Sequence, residues 1–247
     1  MNRRAKESPS NLSHTDYGFT PEDCATLPDF STSSNVYRFE EISITTSVRD
    51  KRRVGDSLDM KRSSLPLLVL DLDETLILGT ETELLGQTKI AQAGQYNIYA
   101  RPFLSEFIET VRSNYRLGVW SAASAGYANA VVRAIFGSSN ELEFLWSEEK
   151  CTLRLNAETG ERHFIKNLKK LRGKGFDLSQ VLFVDDVYAN LSRNYGNLVR
   201  VPPFLGDPND RVLIVLGRYL RDLTLHDPED FRRIEKRGWV NAYLTLP

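Results

Sequence analysis

Short apolar runs recur along this chain, and three of them stop abruptly at acids or hydroxyls. Leu67-Leu68-Val69-Leu70 is followed by Asp71-Leu72-Asp73-Glu74-Thr75-Leu76, Tyr115–Trp120 by Ser121-Ala122-Ala123-Ser124, and Val181-Leu182-Phe183-Val184 by Asp185-Asp186. Continuous aliphatic stretches of this length read as strands buried on both faces, as in parallel sheets. Between them the period becomes helical. Phe103, Phe107, Ile108 and Val111 follow Pro102, and Tyr127, Val131 and Ile135 precede Gly137, with proline at a helix start and glycine at a helix stop. Further strands are expected at Glu143–Trp146, Cys151–Leu155 and Leu198–Val201, and a turn at Ala157-Glu158-Thr159-Gly160. Lys166–Arg172 predicts a turn or two of basic helix, and Arg211–Leu223 and Pro228–Arg237 predict amphipathic helices. Ile77–Ala100, which contains Gly79, Gly86 and Gly94, is an insertion with hairpin character. Strands alternating with helices in this way define an α/β chain with a parallel sheet flanked by helices.

The pattern fades toward the N-terminus. Residues 1–34 are rich in Ser, Thr, Asn, Asp and Pro with few large aliphatics, too little apolar surface to offset the entropy of ordering. Val36–Ile44 has some strand character, and Arg49–Arg53 with Lys61-Arg62 reads as a basic linker. Residues 1–63 are therefore expected to be a largely disordered segment and linker, and residues 64–247 the folded domain. A chain of 247 residues with a formal net charge of −1 accommodates one sizeable domain, and carries no field that would draw in nucleic acid or anionic lipid. The longest apolar stretches, around Leu65–Leu70 and Val212–Leu216, are far too short to span a bilayer. No apolar segment follows the basic Met1–Lys6, so a secretory signal is not expected. With Cys24 and Cys151 as the only cysteines, a disulfide scaffold is excluded and a reducing compartment is the default. The expected location is cytoplasmic, with the nucleus left open.

The three polar strand ends carry the chemistry. Parallel strands joined by right-handed crossovers bring such ends to one edge, where open α/β sheets place their ligands. Asp71 and Asp73, two apart in extended chain, share a face there. Carboxylates crowded beside a phosphoryl oxygen call for a hard cation, and Mg²⁺ suits oxygen ligands. An aspartate can attack phosphorus to form an aspartyl-phosphate, and a second carboxylate can give and retake the proton. A hydroxyl and an ammonium group would hold the equatorial oxygens. Other mechanisms lack their residues. A Cys-x₅-Arg phosphatase would need arginine where Phe30 and Ala157 stand, Gly173-Lys174 has no upstream P-loop glycine, and His14, His163 and His226 have no metal-ligand spacing.

With these residues in view the chain resembles the haloacid-dehalogenase superfamily of phosphohydrolases. More narrowly it is similar to the CTD-type, NLI-interacting-factor-like phosphatases. The resemblance rests on Asp71–Leu76, Tyr99-Ala100-Arg101-Pro102, Val119–Ala128, Phe164-Ile165-Lys166-Asn167-Leu168 and Val184-Asp185-Asp186, over about residues 65–205. It implies a Rossmann-like core with a small insertion in place of a full cap. It also implies Asp71 as nucleophile, Asp73 as general acid/base, and Ser121 and Lys166 as the groups holding phosphate. Mg²⁺ would be bound by Asp71, the Asp73 backbone carbonyl and Asp186, with Asp185 supporting. Arg101 has two readings, substrate contact or a structural arginine buried against an acid. Tyr127 reads as helix packing. The chain departs from the small family members in carrying Asp185-Asp186 for their Asp-Asn, and Tyr127-Ala128-Asn129 for Tyr-Ala-Asp. An apolar insertion that grips a proline-containing phosphopeptide is not recognisable in Ile77–Ala100 or Glu143–Leu155.

About 50 residues separate Asp71 from Ser121, and about 45 separate Ser121 from Lys166. Core helices consume much of both gaps, so neither holds a full cap domain. An open site fits phosphate displayed on a macromolecule, most simply phosphoserine or phosphothreonine on a protein. A phosphatase of nucleic-acid ends or nucleotides is the second reading. A binding module that has lost catalysis is the third.

Overall fold

Five of the expected strands form one parallel sheet. In chain order the elements are β1 (Leu67–Leu70), β2 (Ile77–Thr80), β3 (Lys89–Ala93), β4 (Tyr96–Ala100), α1 (Leu104–Arg112), β5 (Arg116–Trp120), α2 (Ala125–Phe136), β6 (Leu142–Trp146), β7 (Thr152–Leu155), β8 (Arg162–Ile165), α3 (Lys169–Arg172), β9 (Val181–Asp185), β10 (Leu198–Arg200), α4 (Val212–Leu225) and α5 (Trp239–Leu244). The main sheet runs β10-β9-β1-β5-β6. This computed structural model describes residues 64–155, 160, 162–226 and 228–244; the expectations for residues 1–63, and all but Gly160 of the Ala157–Gly160 turn, lie outside the described residues.

The central strand shows why a continuous aliphatic run was needed. Leu68 and Leu70 point into a large core shared with Leu117, Val119, Leu182, Val184 and the helices α1, α2, α4 and α5. Leu67 and Val69 point the other way, into a second core with Trp120, Phe144, Trp146, Leu171 and Phe183. All four β1 residues are buried, so the alternation of side chains across the sheet fills both faces. β1 lies between β5 and β9, with Leu70 level with Val119 and Val184. That register brings Asp71, Ser121 and Asp185 to the same sheet edge.

The insertion after β1 is more than a hairpin. It folds as a three-stranded antiparallel sheet in the order β2-β4-β3, with Gly94 at a positive φ of 60° turning β3 into β4. Helix α2 packs against β3, which fixes the small sheet over one side of the edge. The helix itself starts at Ser124, whose hydroxyl accepts the amide N–H of Tyr127, and stops at Gly137 with φ 72°.

Two helical expectations are corrected. Lys166–Arg172 contains helix only from Lys169 to Arg172; Lys166 sits at the end of β8, where its N–H donates to the carbonyl of Asn190. The single helix expected over Pro228–Arg237 is instead a 3₁₀ turn at Phe231–Arg233, followed by the separate helix α5. The Asp230 carboxylate accepts the Arg232 amide and guanidinium and closes the turn. Lys236 then donates to the carbonyls of Phe231 and Ile234, and Gly238, at φ 72°, breaks the path before α5. Local side-chain bonds compete here with the helix ladder and win.

Candidate active site

The acidic strand ends meet around one ammonium. Lys166 Nζ lies 2.7 Å from Asp71 Oδ1 and 2.8 Å from Asp185 Oδ2, with the Phe183 ring beneath it at 5.2 Å. The lysine side chain is fully buried. Burial disfavours its charged form, but the Asp185 and Asp71 carboxylates outweigh that and raise its pKa above the ordinary lysine value. The ammonium is therefore a fixed positive charge at the centre of the site.

Each acid is held by its own partners. Asp185 Oδ1 accepts the Val187 amide at 2.9 Å and the Asn190 side-chain amide at 3.1 Å. Asp186 Oδ1 accepts the Thr75 hydroxyl at 3.0 Å, and its carbonyl accepts Arg200 Nε at 3.2 Å. Asp71, Asp185 and Asp186 each present an oxygen, all within 4.8 Å of one another. Three buried carboxylates face one ammonium, which leaves an excess of negative charge. Burial pushes Asp71 well above the usual carboxylate range; Lys166 opposes that shift, and Asp185 and Asp186 add to it. Burial, followed by the charges of Asp185 and Glu74, pushes Asp186 up to about 7. A clustered, oxygen-only set with surplus negative charge fits a hard divalent cation.

Asp73 stands apart from that cluster. Its Oδ1 accepts the Tyr127 hydroxyl at 2.5 Å. Burial raises its pKa, and the hydrogen bond from Tyr127 and the Lys166 charge pull it back, with a further hydrogen bond donated by the Ser121 hydroxyl acting the same way. Ser121 is fully buried, and its Oγ also accepts the amide of Ala123 at 2.9 Å. Burial and the adjacent Asp73 raise the Tyr127 phenol above its ordinary value and keep it a donor.

The sequence-predicted residues Asp71, Asp73, Ser121, Lys166, Asp185 and Asp186 thus converge at one edge. Arg101 does not join them. Its Nε and Nη2 grip Asp210 at 3.0 and 2.8 Å, and its Nη1 donates to the carbonyls of Thr75 and Pro202, each at 3.0 Å. With its side chain fully buried and these four bonds made within the protein, Arg101 has the surroundings that its structural reading describes. Three contributors escaped the sequence reading. Thr75 was quoted only as part of a motif, Tyr127 was assigned to packing, and Asn190 carries no signal before the turn after β9 folds back on Asp185.

A parallel sheet bearing this constellation at the carboxyl ends of its central strands is the architecture of a hydrolase of the haloacid-dehalogenase type. Residues 66–232 match the family model of the NLI interacting factor-like phosphatases, and the chain belongs to that family. It is 27% identical to Ubiquitin-like domain-containing CTD phosphatase 1 of Drosophila melanogaster, over 90% of this chain and 72% of that protein. It is 28% identical to CTD small phosphatase-like protein 2 of Dictyostelium discoideum, over 67% of this chain but only 28% of that protein. Among solved structures it is similar to Fcp1, an essential RNA polymerase II CTD phosphatase, with 19% identity and a TM-score of 0.43, covering 71% of this chain and 54% of that one. No helix among the described residues is long and apolar enough to cross a membrane.

Proposed function

We infer that this phosphatase hydrolyses phosphomonoesters through an aspartyl-phosphate on Asp71, with Mg²⁺ as cofactor and phosphoserine or phosphothreonine on a protein as substrate. One observation carries the reading: Lys166 is clamped between Asp71 and Asp185 at the edge where Asp73 stands alongside. The Asp71 carboxylate attacks phosphorus as the ester P–O bond breaks, and the leaving oxygen takes a proton from the Asp73 carboxyl. In the second half Asp73 accepts a proton from water, the water oxygen attacks phosphorus, and the Asp71–phosphorus bond breaks. Alcohol and inorganic phosphate are the net products. Lys166 and the Ser121 hydroxyl hold the equatorial oxygens while charge shifts across them. Mg²⁺, held by Asp71, Asp186 and the Asp73 carbonyl with Asp185 in support, would neutralise the charge that these acids and the phosphoryl oxygens bring together.

What covers the edge supports the substrate class. Among the described elements, the small β2-β4-β3 sheet, α1 and the core strand β5 lie between Asp71 and Ser121, and α2, β6, a 3₁₀ turn at Glu148–Lys150, β7 and β8 lie between Ser121 and Lys166. No separate cap domain is built from them, so a phosphate carried on a polypeptide has access. The test is turnover of phosphoserine, phosphothreonine and phosphotyrosine peptides, p-nitrophenyl phosphate and phosphorylated oligonucleotides, with Mg²⁺ or with excess chelator. Mg²⁺-dependent release of phosphate from the phosphoserine or phosphothreonine peptides, abolished by Asp71→Asn, is expected. Activity that survives Asp71→Asn or chelation overturns the mechanism. Turnover confined to oligonucleotides overturns the substrate assignment alone.

A further inference from the structure

Three elements converge on the Asp73 carboxyl. Asp73 comes from the turn after β1, and the Tyr127 hydroxyl reaches its Oδ1 from α2 at 2.5 Å. Strand β2 passes against the pair at Gly79, where a Cβ would sit 2.2 Å from the Tyr127 oxygen and 3.4 Å from Asp73 Oδ1. The first distance is shorter than any non-bonded contact permits, so Gly79 is the residue whose missing side chain leaves room for the bond. Tyr96 of β4 holds the Tyr127 ring from the side in an edge-to-face contact, with centroids 6.0 Å apart. The hydroxyl is thus fixed by its helix, by a neighbouring ring and by a gap in a strand. This is more precision than packing alone requires.

We propose that Tyr127, admitted by Gly79, is a positioning residue that latches the Asp73 carboxyl in the orientation needed for proton transfer. The bond occupies Oδ1 and, together with the hydrogen bond from Ser121, restrains how the carboxyl is presented to the leaving group. A carboxyl with one oxygen fixed loses its rotation about χ2, so the proton is delivered from a set place rather than from a swivelling group. The latch acts on proton transfer by Asp73 in both halves of the reaction, and only the first half, in which the leaving group departs, differs between one ester and another. It contributes nothing to the attack by Asp71 or to the binding of phosphate by Lys166.

The inference rests on Asp73 serving as general acid/base, and leaving-group chemistry separates the two. p-Nitrophenolate departs readily without protonation; the serine alkoxide of a phosphoserine peptide does not. Asp73→Asn sets the reference and should cost far more with the peptide than with p-nitrophenyl phosphate, about a hundredfold or more in kcat. Tyr127→Phe removes one oxygen and keeps the ring, so the fold should survive, with thermal melting as the check. It should lower kcat on the peptide roughly tenfold or more beyond its effect on p-nitrophenyl phosphate, with KM for the peptide little changed. Gly79→Ala, which displaces the hydroxyl while leaving it in the chain, should shift the ratio of the two substrates in the same direction. If Asp73→Asn shows no leaving-group dependence, the general-acid reading itself fails. If Asp73→Asn shows it, but Tyr127→Phe slows both substrates equally or changes only KM, the latch is overturned and the acid/base assignment stands.

Discussion

Replacing Arg101 by methionine should cost stability rather than substrate affinity, and the structure sets the size of the effect. The guanidinium forms a two-pronged pair with Asp210, satisfies the carbonyls of Thr75 and Pro202, and lies 5.6 Å from the Phe204 ring. Both partners of the pair are buried. Methionine keeps much of the apolar stem but takes both guanidinium bonds from the Asp210 carboxylate, which keeps the Val212 amide, and leaves two carbonyls with a bond fewer. Breaking a buried pair from one side costs about 3–5 kcal/mol, and each orphaned acceptor can add about 1 kcal/mol or more. These terms overlap, so about 4 kcal/mol is the expected loss, a large share of a domain's typical stability of about 5–15 kcal/mol. Urea denaturation of Arg101→Met, Asp210→Leu and the double variant would measure it. The double variant should recover much of the loss, because no uncompensated charge remains. Arg101 also reaches the site indirectly, since Thr75, whose carbonyl it holds, bonds Asp186 through its hydroxyl. Below the unfolding transition kcat should therefore fall modestly while KM for a phosphopeptide holds. A variant as stable as the parent, with a tenfold higher KM, would refute the structural role and return Arg101 to the substrate.

Two further perturbations test the acids and the core. The Asp186 pKa is raised by folding from 3.8 to about 7, so its contribution to stability is fully present below the lower value and is lost as pH rises through about 7, up to about 4 kcal/mol. Thermal stability measured in chelator should accordingly fall from mildly acidic to mildly alkaline pH, and Mg²⁺ should restore more of it at the alkaline end; a flat profile with no Mg²⁺ effect would remove the acids as a cation site. At Gly118 of β5 a Cβ would come within 2.5 Å of the Phe144 ring, so Gly118→Ala should cost about 1–3 kcal/mol through overpacking, read as a lowered melting temperature with unchanged KM, and an unchanged melting temperature would contradict the packing described.

Which parts of this architecture could be read from the chain depends on the range of the interactions involved. Strand β1 was legible because Leu67–Leu70 must fill two cores at once, which demands an uninterrupted aliphatic run. Its acidic ending was legible because Asp71 and Asp73 stand at the mouth of that run, and the same logic found Ser121 and Asp185-Asp186. Lys166 had to be found by motif, because nothing near it in sequence distinguishes it from Lys169 or Lys170; only the fold brings it to within 2.8 Å of Asp185, 19 residues away. The misread helix at Pro228–Arg237 has a local cause. Pro228–Arg237 has helical periodicity, yet Asp230 and Lys236 bond locally to backbone groups and end the helix before it begins. Periodicity records which side chains are apolar. It does not record which polar groups capture the backbone.

Tyr127 shows the limit most sharply, because its apolar spacing is real and still conceals its polar reach. With Val131 and Ile135 it forms a helical stripe, and its ring does pack against the main core. A tyrosine ring and a tyrosine hydroxyl answer to different neighbours, however, and the stripe reports only on the ring. The hydroxyl meets Asp73 across 54 positions of sequence, a meeting made possible by the β2 position that carries no side chain. Neither half of that pairing is visible alone: Gly79 reads as one of three glycines in an insertion, and Tyr127 as helix packing. Set against the Asp73 carboxyl the two explain each other, because the space the glycine leaves is the space the hydroxyl takes.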